Sequence, residues 1–557
     1  MNDQYPDLYQ SFQWLVPSQF NIAQACVHRW AENTLEGRRI AIFHENEAGT
    51  RDVWTYTRLS DTTQKLANAL MRMGVQRGDR VAVVLDQRPE TVASYMAIFS
   101  VGAIALPLCS RFGVDGLAIR LKSAGAHVAI VDAGTAPDVV SAQGRCPALT
   151  QIIGIDCEGE SVIPWRTLLA RQSTGFKPIP TSSDSPALLL YTSGTTREPK
   201  GVLLAHRALI GSLPGFVASQ NWFPQKSDIF WTPTDWTWGS GIMDALLPTL
   251  YFGQAIVGAQ GRYTPVKAME IMGRYQVSNV LLPPTLLHLM MTETPSPGDT
   301  WPLHLRAVAC AGEPVKPEAF KWCEQALGIT PNEMFGQTEL NYVIGNSHKR
   351  WPALPGSLGR PYPGHQAVVL DKHGKVCPSG VVGEIAINRY DIHGHPDPAL
   401  FLGYWQDETT TKEKFDGHWF LTGDLASVDE QGYYWYAGRR DDVFKSSGYR
   451  IGPGEIEECL MRHAAVASAA VVPKPDSIRG ALIKAYVILK PSMRPTDGTD
   501  LQAELQEYVR SQLASHQTPR EIEFVDKLPL TSTGKIRRSV LRAREEQRHG
   551  GSPSSGH

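Results

Sequence analysis

The pattern of apolar and polar positions changes character along the chain. Up to about residue 430, short apolar runs alternate with longer amphipathic stretches, as in layered α/β structure. "RVAVVL" (80–85), "HVAIVDA" (127–133), "PALLLYT" (186–192), "AIVGA" (255–259), "VSNVLLPP" (277–284) and "LRAVACAGEP" (305–314) read as buried strands. Between them, "LSDTTQKLANALMRMG" (59–74) reads as a helix with Leu59, Leu66, Leu70 and Met71 as its apolar positions. From about 355 to 437 the helices thin out, and "AVVL", "GEIAIN" and "YYWYAG" between Gly, Pro and Asp turns predict a smaller β-rich subdomain. Past "GRRDDVFKSSGYRIGP" (438–453) the pattern becomes compact again. "GEIEECLMRH" is helical, "VASAAVVP" and "ALIKAYVILK" are strands, and "DLQAELQEYVRSQL" is a helix. In that last helix Leu501, Leu505, Val509 and Leu513 recur every fourth residue and share one face. The predicted fold class is α/β. A large N-terminal domain of layered α/β subdomains (1–440, with the β-rich subdomain at about 355–437) precedes a small α+β C-terminal domain (441–557). No internal repeat is visible, and the tail "HGGSPSSGH" has the composition of a disordered end.

Bulk properties narrow the function classes. A net charge of −2 and a pI near 6.8 give no electrostatic case for nucleic acid or anionic lipid as partner. Eight cysteines lie scattered without a CxxC pair, which argues against a disulfide scaffold or a zinc site. The start "MNDQYPDLYQ" lacks a signal-peptide pattern, and no apolar run approaches the ~18–20 residues of a membrane helix. A cytoplasmic protein with no membrane partner is expected.

Four short motifs carry the candidate chemistry. "YTSGTTREPKG" (191–201) offers hydroxyls and bare backbone at Thr192, Ser193, Gly194, Thr195 and Thr196, and a cation at Lys200. Such a loop can cradle phosphate through inward N–H groups. It is not the GxxxxGK[ST] loop of nucleoside triphosphatases, because Pro199 precedes the lysine and Gly201 follows it. "NEMFGQTEL" (332–340) sets Thr338 beside Glu339, a pair able to contact a phosphate and hold Mg²⁺. "FLTGDLA" (420–426) presents Asp424 on a glycine turn, suited to a ribose diol or to simple turn chemistry. "LPLTSTGKIRR" (528–538) presents Lys535. Taken singly, each motif is equally a polar surface connection.

As an ordered set the four motifs resemble the adenylate-forming superfamily of acyl-CoA synthetases, adenylation domains and luciferases. The medium-chain acyl-CoA synthetase branch looks closest, with "SSGYRIGPGEIEE" and "VVPKPDSIRGALIKAYVIL" resembling its C-terminal domain. The resemblance runs from "WTYTRLSDTTQKLANAL" to "TSTGKIRR". It implies that ATP and a carboxylate form an acyl-adenylate and pyrophosphate, after which the thiol of coenzyme A displaces AMP. It further implies that residues 192–200 hold the β- and γ-phosphates. Gly312, Glu313 and Pro314 flank the adenine, with Glu333, Phe335, Gly336 and Gln337 in the ATP site. Thr338 touches the α-phosphate, Glu339 coordinates Mg²⁺, and Asp424 with Arg439 binds the ribose. Lys535 bridges the acyl carboxylate and the α-phosphate, and Asp441 is the hinge of the small domain. Ser447, Gly448 and Tyr449 line the pantetheine tunnel, while Arg450 and Arg479 meet CoA phosphates. Trp236, Trp238, Gly239 and Gly336 form the acyl pocket. There Gly336 stands in place of the tryptophan that shortens the pocket of acetyl-specific members, so an acid longer or bulkier than acetate is implied. A homodimer would be unsurprising for the family.

Two positions depart from the family pattern. Arg197 stands where glycine is usual, and Gln517 in "SHQTPRE" replaces a lysine thought to meet CoA. Two alternatives stay open at this point. One is an adenylating enzyme that loads a carrier-protein phosphopantetheine. The other is a nucleotide-binding relative without catalysis, prompted by Arg197.

Overall fold

A computed structural model describes residues 3–192, 199–261, 263–312, 315–439, 444–490, 501–529, 536 and 538–550. The chain divides into two compact units. One comprises residues 1–110, 121–190 and 201–438; the other comprises 111–120, 191–200 and 439–557.

The first unit is built on two large sheets. In the nine-stranded sheet the order is Arg360–Pro361, Asn341–Gly345, Asn332–Gln337, Ala307–Ala311, Asn279–Leu282, Ile229–Trp231, Ala255–Ala259, Ile40–Glu45 and Arg51–Thr55. Its central pairs are parallel, and its first three strands pair antiparallel. The eight-stranded sheet is centred on Arg80–Val84, flanked in parallel by Ile104–Pro107 and Val128–Asp132. Parallel strands are covered on both faces, which explains why these segments read as unbroken aliphatic runs. Val81, Ala82, Val83 and Val84 are all fully buried. The helix Tyr56–Arg72 begins where the Thr55 side chain accepts from the Arg58 N–H at 3.2 Å, and it buries Leu59, Leu66 and Leu70. Met71 differs from the sequence reading: it is 46% exposed, on the solvent side of the helix.

The β-rich subdomain forms a separate five-stranded antiparallel sheet. Ala367–Leu370, Gly383–Asn388 and Trp419–Val428 are its successive neighbours, with Tyr434–Arg439 pairing to the last of these. In the second unit, Val466–Asp476 and Gly480–Leu489 form a long hairpin, and Glu521–Phe524 joins it in parallel. The helix Leu501–Gln512 packs Leu505 and Val509 into that unit's core with Leu513, all fully buried. No helix among the described residues is long and apolar enough to cross a membrane.

One buried carboxylate ties the far edge of the nine-stranded sheet to the helix beside it. The Glu45 side chain is 2% exposed, and it accepts from Lys267 Nζ at 2.7 Å, from Arg274 NH1 at 2.7 Å and from Tyr275 OH at 3.1 Å. Burial pushes this carboxyl up, but the bonds from Lys267, Arg274 and Tyr275 outweigh it and hold the group down at about 2. A depressed carboxylate stabilises the fold above its ordinary value near 4.5, and that contribution is lost as pH falls toward 2. Glu45→Gln should therefore lower stability at neutral pH by about 1–3 kcal/mol. The deficit relative to wild type, read from urea midpoints across pH, should shrink between pH 4.5 and 2.

Candidate active site

The strand Asn332–Gln337 carries the first cluster. Its N-terminal half is held in the sheet: Phe335 is 6% exposed, and Glu333 Oε2 accepts from the Val315 N–H at 3.3 Å. The pairing with Asn341–Gly345 slips by a bulge between Phe335 and Gly336, and the chain then turns tightly, with the Leu340 N–H on the Gln337 carbonyl at 3.1 Å and Asn341 at φ 55°. Bulges re-aim side chains at the ends of strands. This one sets Thr338 and Glu339 out on the turn. Gly336 has a second reason to be glycine beyond pocket length: a Cβ there would stand 1.8 Å from the Asn341 carbonyl oxygen.

Glu339 is buried to 3% exposure, and its two carboxylate oxygens differ. Oε1 accepts from Tyr404 OH at 2.8 Å, whereas Oε2 is buried without a partner among the described residues. The Glu339 carbonyl accepts from the Phe401 N–H at 2.8 Å, fixing the turn. An oriented carboxylate with one open oxygen fits a hard cation such as Mg²⁺, whose other positions are usually filled by phosphate and water. Among the described residues no cluster of three His, Cys, Asp or Glu could cage a metal alone.

The strand Trp419–Val428 of the five-stranded sheet supplies Asp424. Thr422 accepts from the Asp424 N–H at 3.1 Å and donates to the Ile385 carbonyl at 2.8 Å, so the aspartate sits on a pinned backbone at 3% exposure. Tyr436 OH donates to Asp424 Oδ1 at 3.1 Å. The Gln337 amide donates both to Asp424 Oδ2 and, at 2.8 Å, to the Thr422 carbonyl. Gln337 thus joins the turn bearing Thr338 and Glu339 to the turn bearing Asp424. The sequence pointed to Gln337 and Asp424 separately. The tyrosines that hold Glu339 and Asp424, Tyr404 and Tyr436, were not anticipated, and no local signal marks them.

The expected acyl-pocket residues occupy different settings. Trp236 is fully buried and faces Gly258, where a Cβ would meet the indole at 2.7 Å, so it is a core residue. Trp238 is half-buried and begins the helical segment Gly239–Gly241, its carbonyl accepting from the Ile242 N–H at 2.9 Å. A Cβ on Gly239 would stand 3.5 Å from Thr338 Oγ1, which places this segment against the turn that bears Thr338 and Glu339. Gly312 closes the strand Ala307–Ala311 with φ 97°.

In the second unit, Thr192 Oγ1 donates to the Lys200 carbonyl at 3.5 Å. Ser447 and Gly448, at φ 53° and 82°, make the two-residue turn of the hairpin between Phe444–Ser446 and Tyr449–Ile451. Positive φ at both central residues is the geometry this kind of hairpin requires. The Ser447 N–H donates to the Arg479 carbonyl at 3.3 Å, and Tyr449 stacks on His516 with centroids 4.0 Å apart. Gln517 is 3% exposed and donates to Glu455 Oε2 at 2.7 Å, while Glu455 Oε1 accepts from Arg120 at 2.9 Å. In this arrangement Gln517 is engaged inside the protein. Ser193, Gly194, Thr195, Thr196, Arg197, Glu313, Pro314, Asp441 and Lys535 lie outside the described residues, as do the side chains of Arg439 and Arg450.

Residues 27–405 match the model of the AMP-binding enzyme family, and residues 455–535 match the AMP-binding enzyme C-terminal domain. The chain belongs to the AMP-binding enzyme family. The uncharacterized acyl-CoA ligase YtcI of Bacillus subtilis (strain 168) is 34% identical over 537 residues, covering 96% of this chain and 97% of its own. Acyl-coenzyme A synthetase ACSM4, mitochondrial, of Rattus norvegicus is 31% identical over 541 residues, with 95% and 91% covered. Among solved structures, the Brucella canis acyl-CoA synthetase aligns with a TM-score of 0.73 at 30% identity, covering 98% of this chain and 100% of that one. This member of the AMP-binding enzymes is thus an enzyme of the acyl-CoA synthetase kind. It shares their mixed α/β architecture of a large N-terminal and a smaller C-terminal domain.

Gly336→Ala tests the bulge. To admit the methyl group the backbone of Gln337 and Thr338 must move, and displacements near 1 Å can cost about 10²-fold in rate. The variant should lose ATP–pyrophosphate exchange by about that factor while keeping its circular dichroism spectrum.

Proposed function

We propose that this enzyme is an ATP-dependent carboxylate–CoA ligase that forms acyl-CoA, AMP and pyrophosphate through an acyl-adenylate, acting on an acid longer or bulkier than acetate. The observation that carries the reading is the junction at Gln337, which sets Thr338, the open oxygen of Glu339 and Asp424 around one place.

A carboxylate is a poor acyl donor because oxide would have to leave. In the first half-reaction a carboxylate oxygen of the acid attacks the α-phosphorus of ATP. The bond from that phosphorus to the bridging oxygen breaks, and pyrophosphate departs with the electron pair. In the second, the CoA sulfur attacks the acyl carbon, its proton passes to solvent, and the C–O bond to AMP breaks. No protein nucleophile is required, so the residues act by positioning and by stabilising charge. Asp424 holds the ribose hydroxyls with Arg439, and Gln337 and Tyr436 keep its carboxylate fixed. Thr338 donates to the α-phosphate. Glu339, oriented by Tyr404, would hold Mg²⁺, which when bound neutralises phosphate charge. Residues 192–200 and Lys200 hold the outgoing phosphates. Gly312, Glu313 and Pro314 border the adenine, with Glu333 and Phe335 behind it. Lys535 reaches the substrate carboxylate and the α-phosphate during adenylation. Ser447, Gly448, Tyr449, Arg450 and Arg479 serve CoA, the context that favours free CoA over a carrier protein as acceptor.

Purified enzyme given ATP, Mg²⁺, CoA and a panel of carboxylic acids should release pyrophosphate and AMP with at least one acid. Lys535→Ala should lower adenylation by about 10²–10³-fold, the usual cost of losing a donor to developing charge. It should spare thioester formation from preformed acyl-adenylate. Equal loss in both half-reactions would remove Lys535 from that role.

A further inference from the structure

The helical segment that begins beside Thr338 carries a carboxyl group that the mechanism does not use. Gly239–Gly241 continues without a break into a π-helical turn, Ile242–Leu246. Single π turns are frequent at functional sites. Four of its five residues, Ile242, Met243, Ala245 and Leu246, are apolar and fully buried, as a core helix demands. The fifth is Asp244, 7% exposed, with no hydrogen bond or ion pair among the described residues. A polar group buried in this way is normally bonded, so a carboxyl left open calls for a partner that arrives from outside.

Its neighbours show where that partner would come from. Asp244 lies four residues after Ser240 and hence on nearly the same side of the segment, about one turn further from the end that meets Thr338. Ser240 neighbours the Tyr342 side chain, and Tyr342 sits opposite Gly336 in the strand pairing. The Tyr342 and Tyr362 phenols are near enough to Asp244 to interact with it electrostatically. Tyr362 OH is already engaged, donating to the Asn346 carbonyl at 3.2 Å. The segment that meets Thr338 at Gly239 therefore carries the Asp244 carboxyl about one turn further on. On the functional reading above, an acyl chain leaves its activated carboxyl along this segment. Burial pushes the Asp244 carboxyl well above the usual carboxylate range.

We infer, resting on the ligase reading, that Asp244 closes the far end of the acyl pocket and selects an acid bearing a hydrogen-bond donor, a hydroxyl or an ammonium, on its distal carbon. A purely aliphatic acid would leave the aspartate buried and unanswered, and a leucine at 244 would suit such an acid better. Asp244 is a specificity residue on this account and touches none of the reacting atoms.

The test is pyrophosphate release, measured as kcat/KM for straight-chain acids of four to eight carbons in three matched series: unsubstituted, ω-hydroxy and ω-amino. The wild type should prefer one of the donor-bearing series over the unsubstituted acids at least tenfold. Asp244→Leu should reverse that preference. Asp244→Asn is nearly isosteric, so it preserves the test should the leucine variant fail to fold. It separates the two donors: a hydroxyl-selective pocket keeps most of its preference, and an ammonium-selective pocket loses it. Wild type and both variants ranking the acids identically, with unsubstituted acids turned over best, would overturn the inference and leave the ligase reading standing. Absence of pyrophosphate with every acid would overturn the ligase reading, and this inference with it.

Discussion

The amide of Gln337 is the interaction on which the site depends. It reaches from the last position of a strand in the nine-stranded sheet to Asp424 and to the Thr422 carbonyl in the five-stranded sheet. Two sheets with separate hydrogen-bond networks are registered at this point by one side chain. The amide is bonded to an ionisable partner that is 3% exposed, where such bonds are stronger than at the surface and costly to leave unmade. With it in place, a carboxylate suited to ribose and a carboxylate suited to a cation are held by one rigid element. Catalysis by positioning needs that rigidity more than it needs a reactive side chain.

The supporting shell follows the same logic. Each of the two candidate carboxylates has an oxygen held by a tyrosine: Glu339 by Tyr404 and Asp424 by Tyr436. A phenol fixes orientation without adding charge to the site. The glycine at 336 belongs to this shell too. Its missing side chain lets the strand pass the Asn341 carbonyl, and the bulge there leads into the turn that bears Thr338 and Glu339.

Much of the fold was legible because continuous aliphatic runs bounded by turn residues admit few alternatives. "PALLLYT" and "AIVGA" are strands over the same residues in the structure, and Leu505, Val509 and Leu513 share a buried face as their spacing implied. Glu339 and Asp424 stood out as candidates because polar residues on glycine turns interrupt those runs. What joins them was hidden, since Gln337 and Asp424 are 87 residues apart and Tyr404 and Glu339 are 65 apart. No local pattern encodes such pairs. Trp236 illustrates the opposite failing: an aromatic beside a functional glycine read as pocket lining, yet it packs in the core against Gly258. Asp244 escaped notice inside "IMDALL", where hydrophobic neighbours conceal a carboxyl whose isolation appears only when its surroundings are assembled.

The most direct measurement is a crystal structure with a non-hydrolysable acyl-sulfamate analogue of the acyl-adenylate. The account predicts the ribose hydroxyls within hydrogen-bond distance of Asp424, the sulfamate beside Thr338, the Gln337 amide still on Asp424, and the acyl chain directed past Gly239. A nucleotide seated elsewhere, or a ribose bound with the Gln337–Asp424 bond broken, would contradict it.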